Sequence, residues 1–314
     1  MESAVYSQDI KNVFNLMADD LVVAFMGPTG SGKSNLIDTL TNQPGRRSGS
    51  SLASCTQKIQ AVRMYDHPKY ANRLVLVDTP GFDDAEKSDM EILQMIGDWL
   101  KQTYKKNIKL AGIVYLHKIT DNRMAGAPHR NLRMFSELCG DQAVKKVILV
   151  TTMWDKLAKK SVGAQREHNL RIKYWRVMME NGALVARFRN TPQTAWKIID
   201  MIIQEPSAEA LLLQEELVDF KLRLNETKAG MMLYSNLEEL LVEQQKTIGL
   251  LAEQARAQND PAIVAILTAE YDRTEKNFHK TFSEMKRLRI PMGRRIILFF
   301  SKKSREVTRS LGFF

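Results

Sequence analysis

Short apolar, β-branched runs alternate with helical periodicity over the first two thirds of the chain, and helical periodicity alone follows. The runs Leu21–Met26, Ile59–Tyr65, Arg73–Asp78, Leu110–Leu116, Lys146–Thr151 and Leu184–Phe188 predict strands. Between them, Lys33–Leu40, Asp89–Tyr104, His129–Cys139, Ala164–Glu180 and Thr194–Ile203 predict helices. Runs such as VVAFM, LVLV, GIVYL and VILV are apolar at nearly every position rather than every second one, which fits strands covered on both faces. Alternating strands and helices of this kind predict an α/β fold, a mainly parallel sheet flanked by helices.

After Pro206 the pattern turns purely helical. Leu213, Leu217, Phe220 and Leu224 recur at spacings of four and three, and Leu237, Leu241, Ile248 and Leu251 resume with a shifted phase. Gly230 and Gly249 count against one straight rod. Asn259-Asp260-Pro261 supplies a stop and a restart, with Asp260 as cap and Pro261 in the first helical position. The second helix carries Ile263, Leu267, Tyr271, Phe278, Met285 and Leu288 on one stripe. A C-terminal helical hairpin is expected, either folded against the α/β domain or paired as a coiled coil with another chain. The expected organisation is an N-terminal segment 1–19, the α/β domain 20–204, a helical arm 205–290 and a basic amphipathic tail 291–314.

Composition narrows the classes. With 314 residues, 44% hydrophobic and 26% charged, the chain can bury a full core without disulfide or metal staples. Two cysteines, Cys55 and Cys139, exclude a disulfide scaffold and a multi-cysteine zinc site, and point to a reducing, cytoplasmic compartment. The first twenty residues show no basic start followed by an apolar run, so no signal peptide is expected. Apolar runs such as Ile296–Phe300 fall far short of a membrane span.

Charge is unevenly placed. From Thr281 to Phe314, nine Lys or Arg face two acids, so +7 of the net +10 belongs to the last 34 residues. A nearly balanced body with a basic tail disfavours nucleic acid as partner of the whole domain and favours a local anionic contact. In the tail, Ile296–Phe300 lies between the pairs Arg294-Arg295 and Lys302-Lys303. That segment suits the surface of an anionic membrane, or docks its apolar residues on the domain while its charges stay in water.

The sharpest motif is Gly27-Pro28-Thr29-Gly30-Ser31-Gly32-Lys33-Ser34, with the spacing G-x-x-x-x-G-K-[ST] between a predicted strand and a predicted helix. Glycines let the backbone wrap a phosphate with its amides turned inward, and the helix start adds partial positive charge. Gly27, Thr29, Gly30, Ser31, Gly32 and Asn35 are the expected nucleotide-binding positions around Lys33 and Ser34. Lys33 is expected to reach the β- and γ-phosphates, and the Ser34 hydroxyl to ligate Mg2+. Asp78, closing the strand RLVLVD, can hold the Mg2+ shell through water, and the Gly81 amide can meet the γ-phosphate.

Asp78-Thr79-Pro80-Gly81 resembles the start of switch II in regulatory G domains. By that resemblance the loop Gln43–Gln57 is switch I, with Thr56 as the Mg2+ ligand and Ser54 as the competing choice. Lys33, Thr56 and Gly81 are then the expected catalytic contacts. After the strand VILV comes TTMWD, where G domains show N-K-x-D or T-K-x-D. Thr152 and Asp155 align, and Met153 replaces the lysine. A carboxylate at Asp155 accepts from the N1–H and 2-amino group of guanine, and adenine offers no such pair. The flexible Met153 stem can replace the packing of the lysine stem without its charge.

GPTGSGKS, LxSCT, DTPGFDD and TTMWD together resemble the septin, GIMAP and Toc branch of P-loop G domains. The stretches YLHKITDNRM (115–124) and LRMFSELCG (132–140) are similar to G-domain proteins of mushroom-type fungi. The resemblance covers roughly 20–204 and implies a P-loop NTPase G domain with GTP and Mg2+ as ligands. It also implies Asn190 as a base contact. Ras-like G domains orient the attacking water with a glutamine after the switch II glycine, whereas here Phe82 follows Gly81. The expected function is therefore a GTP-binding switch with slow Mg2+-dependent hydrolysis, stimulated by G-domain dimerisation or a partner. His117, Arg123 and Arg130 are candidates for a group supplied in trans. Two alternatives stand beside it: a non-hydrolysing GTP-dependent oligomeric scaffold, and an ATP-using P-loop enzyme.

Overall fold

The computed structural model describes residues 6–48, 58–84, 86–122, 124, 126–203, 209–291 and 294. Among these, seven strands form one sheet: β1 (Tyr6–Ile10), β2 (Leu21–Met26), β3 (Gln60–Tyr65), β4 (Leu74–Asp78), β5 (Leu110–Lys118), β6 (Val147–Thr152) and β7 (Leu184–Arg187). Their order is β1-β3-β4-β2-β5-β6-β7. The β1–β3 and β3–β4 pairs are antiparallel, and every other pair is parallel. The expected α/β sheet is thus present with one addition, β1. Its sequence YSQDI has no apolar alternation, and it lies half exposed on the edge, where packing demands little of it.

The two faces of the sheet are filled differently. Val23 and Phe25 of β2, with Val114 and Leu116 of β5, meet helices α1 (Lys33–Leu40) and α6 (Pro192–Ile203) in one buried cluster. A side chain at Gly112 would put its Cβ 2.5 Å from Ile202, so α6 sits on β5 only because that position is bare. On the opposite face Tyr115 packs its ring on Phe135 of α3 (Ala127–Ala143), with centroids 4.4 Å apart. Helix α2 (Asp89–Lys105) starts with a capping box, Ser88 and Glu91 each satisfying the other's backbone amide.

Two expectations are corrected. The single helix over Ala164–Glu180 is interrupted: α4 (Lys160–Asn169) passes through a π-helical turn, Leu170–Tyr174, into α5 (Arg176–Glu180). The wider turn bonds Trp175 N to Leu170 O at 2.8 Å and brings Leu170, Trp175 and Met178 inward together, which a plain 3.6-residue period would not. The chain divides into two compact units, Met1–Met232 and Leu233–Phe314. Helix α7 (Leu212–Val218) belongs to the first, packed against α2 and α3, where Gly97 admits Leu217 and Leu224 and the bare Gly140 admits Leu212. Beyond α7 the expected helical pattern stops, because Lys221 turns to φ 51° and Leu222 N closes on Glu216 O at 2.8 Å.

Helix α8 (Lys228–Ala257) then runs 30 residues and α9 (Pro261–Leu288) 28. The break falls where the sequence put it: Asp260 accepts from Ala262 N at 2.8 Å, ahead of Pro261. The less exposed positions of α9 include Leu267, Tyr271, Phe278, Met285 and Leu288 of the expected stripe. Among the described residues, no helix is long and apolar enough to cross a membrane. The tail 291–314, apart from Pro291 and Arg294, lies outside the described residues.

Candidate functional site

Strand β2 delivers the chain into the loop Gly27–Gly32, and α1 begins at Lys33. Gly27, Gly30 and Gly32 have φ of 136°, 73° and 95°, which only glycine adopts without strain. Gly32 occupies the N-cap, and no side chain caps α1. Its first amides are therefore directed at whatever lies above the loop. The Ser31 hydroxyl oxygen is buried without a hydrogen-bond partner, an acceptor and donor left for a ligand inside the loop.

Lys33 is buried and folds back on the loop, its Nζ donating to Gly27 O at 3.1 Å and Pro28 O at 3.0 Å. Burial pushes its ammonium down to about 8, partly offset by the carboxylates of Asp78 and Asp84. Ser34 Oγ donates to the buried Asp78 Oδ2 at 2.6 Å, which joins the two expected metal-side residues in one half-buried pair. Gly81 crosses directly above Thr29. A Cβ there would stand 2.5 Å from Thr29 N, and Thr29 Oγ1 donates to Gly81 O at 3.1 Å. Phe82 turns its ring into the core, fully buried, while its carbonyl accepts from Thr29 N at 2.8 Å.

The other end of the site comes from the loops after β6 and β7. Thr152 is buried and donates to Ser31 O at 2.8 Å, so its hydroxyl braces the phosphate loop from beneath. Met153 takes φ 60°, and a single 3-10 turn, Trp154–Lys156, presents Asp155 exposed. Asn190, at φ 58°, accepts from Asn35 Nδ2 at 2.9 Å and so closes the gap between the β7 loop and α1.

The strand, the glycine loop and the uncapped helix, backed by a seryl–aspartate pair from the neighbouring strand, leave one architecture. The fold is that of a P-loop GTPase domain. Residues 22–153 match the family described as 50S ribosome-binding GTPase, a stretch shorter than half of the chain. A GTP-binding protein EngB of Wolbachia pipientis wMel is 34% identical over 90 residues, 29% of this chain and 42% of that protein. Its counterpart in Wolbachia sp. subsp. Drosophila simulans (strain wRi) is 33% identical over 90 residues. The chain thus spans about two fifths of the length of the curated relatives it matches. Among solved structures, Toc33 from Arabidopsis thaliana with GDP and Mg2+ aligns at TM-score 0.47 and 17% identity, covering 62% of this chain and 87% of that one. Era from Aquifex aeolicus bound to GDP.AlF4- aligns at 0.41 and 16%, covering 70% and 67%.

Within this G domain the expected residues meet in two groups. Gly27, Thr29, Gly30, Ser31, Gly32, Lys33, Ser34, Asp78 and Gly81 form the first; in the second Asn35 meets Asn190, Thr152 reaches Ser31, and Asp155 stands exposed on the turn after Thr152. Thr56 and its rival Ser54, with Cys55 and Arg123, lie outside the described residues. One expectation fails: His117 is not on the surface. It is 3% exposed, its Nδ1 has no hydrogen-bond partner, and burial pushes its pKa down to about 4. It lines a cleft of about 290 Å3 with Arg166, Asn169 and Tyr174, and offers almost no surface to a second molecule. Sequence reasoning missed Glu167 and Arg187. Neither has a motif, and they meet only because α4 and β7 flank the turn after β6.

Proposed function

We propose that this chain is a guanine-nucleotide switch, which binds GTP with Mg2+ and hydrolyses it slowly. The observation that carries the reading is the joined pair Ser34–Asp78 beside the buried Lys33, at a glycine loop whose Ser31 hydroxyl has no hydrogen-bond partner among the described residues. Among the described residues no group of three or more His, Cys, Asp or Glu is arranged to hold a metal ion. A cation at Ser34 would therefore draw most of its oxygen ligands from phosphate and water, as Mg2+ does. Bound there, Mg2+ supplies charge neutralisation at the β- and γ-phosphates.

Lys33 exchanges the Gly27 and Pro28 carbonyls for phosphate oxygens, and the Gly81 amide meets the γ-phosphate. Asp155 and Asn190 hold the base. Hydrolysis adds water to the γ-phosphorus and breaks its bond to the β–γ bridging oxygen, giving GDP, phosphate and a proton. The ring after Gly81 is buried and cannot align that water, which supports a slow intrinsic rate. The finer reading places the chain near the septin, GIMAP and Toc branch, with stimulation by a second G domain or a partner. With His117 buried, Arg130 is the described candidate for a group offered in trans. The tail is proposed to meet an anionic membrane surface.

Single-turnover hydrolysis of GTP by the full chain, followed across protein concentrations with and without Mg2+, tests this. A slow, Mg2+-dependent rate that rises with concentration is expected. Failure to bind GTP overturns the reading, and a rate independent of concentration removes the dimer.

A further inference from the structure

We propose that the guanine-selecting turn is held by a cation delivered from the neighbouring strand: Arg187, stacked on Trp154 and locked by Glu167, does the positioning that the lysine absent at Met153 would do. This rests on the guanine-nucleotide reading above.

Asp155 can choose a base only if its carboxylate stays within hydrogen-bond distance of two adjacent donors. Yet it sits exposed on one 3-10 turn, entered through a left-handed Met153. What fixes that turn is its buried neighbour. Trp154 Nε1 donates to Thr151 O at 3.2 Å and to Thr151 Oγ1 at 3.0 Å. One edge of the indole lies against Gly163 of α4, where a Cβ would stand 2.8 Å from the ring. The Arg187 guanidinium carbon lies 4.5 Å from the ring centroid.

Arg187 is itself fixed. Its Nε donates to both Glu167 carboxylate oxygens, at 3.0 and 2.9 Å, and a terminal nitrogen pairs with one of them. Glu167 is 4% exposed and also accepts from Thr151 Oγ1 at 3.1 Å. The contacts close a ring, Thr151 to Glu167 to Arg187 to Trp154 and back to Thr151. A planar, forked cation lies flat on a ring while pairing through two nitrogens, whereas a lysine ammonium offers a point charge with no planar face. None of the hydrogen bonds these four side chains make goes to the phosphate loop, which Thr152 braces instead at Ser31 O. The clamp is thus a positioning device for the base end alone. Loosening it should cost guanine selectivity and leave phosphate binding intact.

The test uses the full chain and the variants Arg187→Lys and Glu167→Gln, with fluorescent GDP displaced by GTP, ATP or inorganic triphosphate. Both variants should release GDP at least tenfold faster and lose at least tenfold of the GTP-over-ATP preference, with triphosphate affinity within twofold of the parent. Unchanged preference overturns the clamp and leaves the guanine reading standing. A parallel fall in triphosphate affinity also overturns it, since the contacts then support the whole site. If Glu167→Gln does not fold, Arg187→Lys decides alone, because Arg187 is exposed and the change keeps a positive charge opposite Glu167. A parent chain with no preference for GTP over ATP removes the base reading and the clamp with it.

Discussion

The two ends of the proposed nucleotide site are built by opposite means. The phosphate end is one run of eight residues, shaped by glycine backbone and closed by contacts to the next strand. The base end is gathered from α1, the end of β7 and the loops after β6 and β7, and is held by side chains: Thr152 under the loop, Asn35 to Asn190 across a gap, and Arg187 over Trp154. A site made of backbone is rigid as soon as its flanking strand and helix form. A site made of side chains depends on every partner, and can drift in specificity while the first end stays constant. Selection can therefore retune the base and leave the phosphate chemistry alone.

The largest break in that comparison is expected from Lys33→Ala. Losing charge-assisted bonds to phosphate should weaken GDP and inorganic triphosphate alike by about a hundredfold, about 3 kcal/mol, in a fluorescence titration. A loss under fivefold would place the phosphate end elsewhere. The same lysine sharpens the comparison through pH. Its pKa of about 8 in the free protein rises when phosphate arrives, so binding takes up a proton and weakens as pH climbs above 8. Calorimetry at pH 8.5 in two buffers of different ionisation enthalpy reads that uptake directly.

Two glycines of the phosphate end should respond unequally. Gly81→Ala drives a Cβ to 2.5 Å from Thr29 N, a backbone atom that cannot yield, and should cost about 3 kcal/mol in denaturant unfolding. Gly30→Ala meets open space and incurs only the strain of φ 73°, about 1 kcal/mol. Equal costs would refute the close crossing of the two loops.

Beneath the base end, His117 should make the domain acid-sensitive. Its pKa lies near 4 when folded against 6.5 unfolded, so the unfolded chain takes the proton first. Stability then falls as pH drops from 6.5 toward 4, by about 2 kcal/mol between pH 7 and pH 5. Unfolding midpoints of His117→Gln should lose that share of the slope. The smallest effect is expected at Asn190→Ala, which removes one exposed neutral bond to Asn35. GDP affinity should fall about threefold to tenfold, with stability changed by less than about 1 kcal/mol.

Legibility in the sequence followed the same division. The run from Gly27 to Ser34 and the pair Ser34–Asp78 could be read because each function sits at a fixed offset from a strand end. Strands such as β2, β4 and β6 could be read because they are buried on both faces and apolar at nearly every position. Tyr6–Ile10 could not, being half exposed and polar. Glu167 and Arg187 stand 20 residues apart on a helix and an exposed strand end, where a charged side chain is ordinary. His117 misled because the same residue type serves at a surface or in a core, and only packing decides. The helix expected over Ala164–Glu180 misled because a π turn keeps an apolar pattern while adding a residue to one turn.

The polar edge strand has a consequence for handling the molecule. Asp9 of β1 pairs with both Arg46 and Arg47 of the segment that follows α1, and its neighbours in the strand cover the open side of β3. Trimming the chain to begin at Asp20, where the sequence alone would start the domain, would therefore remove the Asp9 contacts and leave that segment held by Asp38 of α1. It would also bare a row of unsatisfied amides and carbonyls ready to zip onto another copy. Clumping in such a shortened preparation would belong to the cut and not to the intact protein.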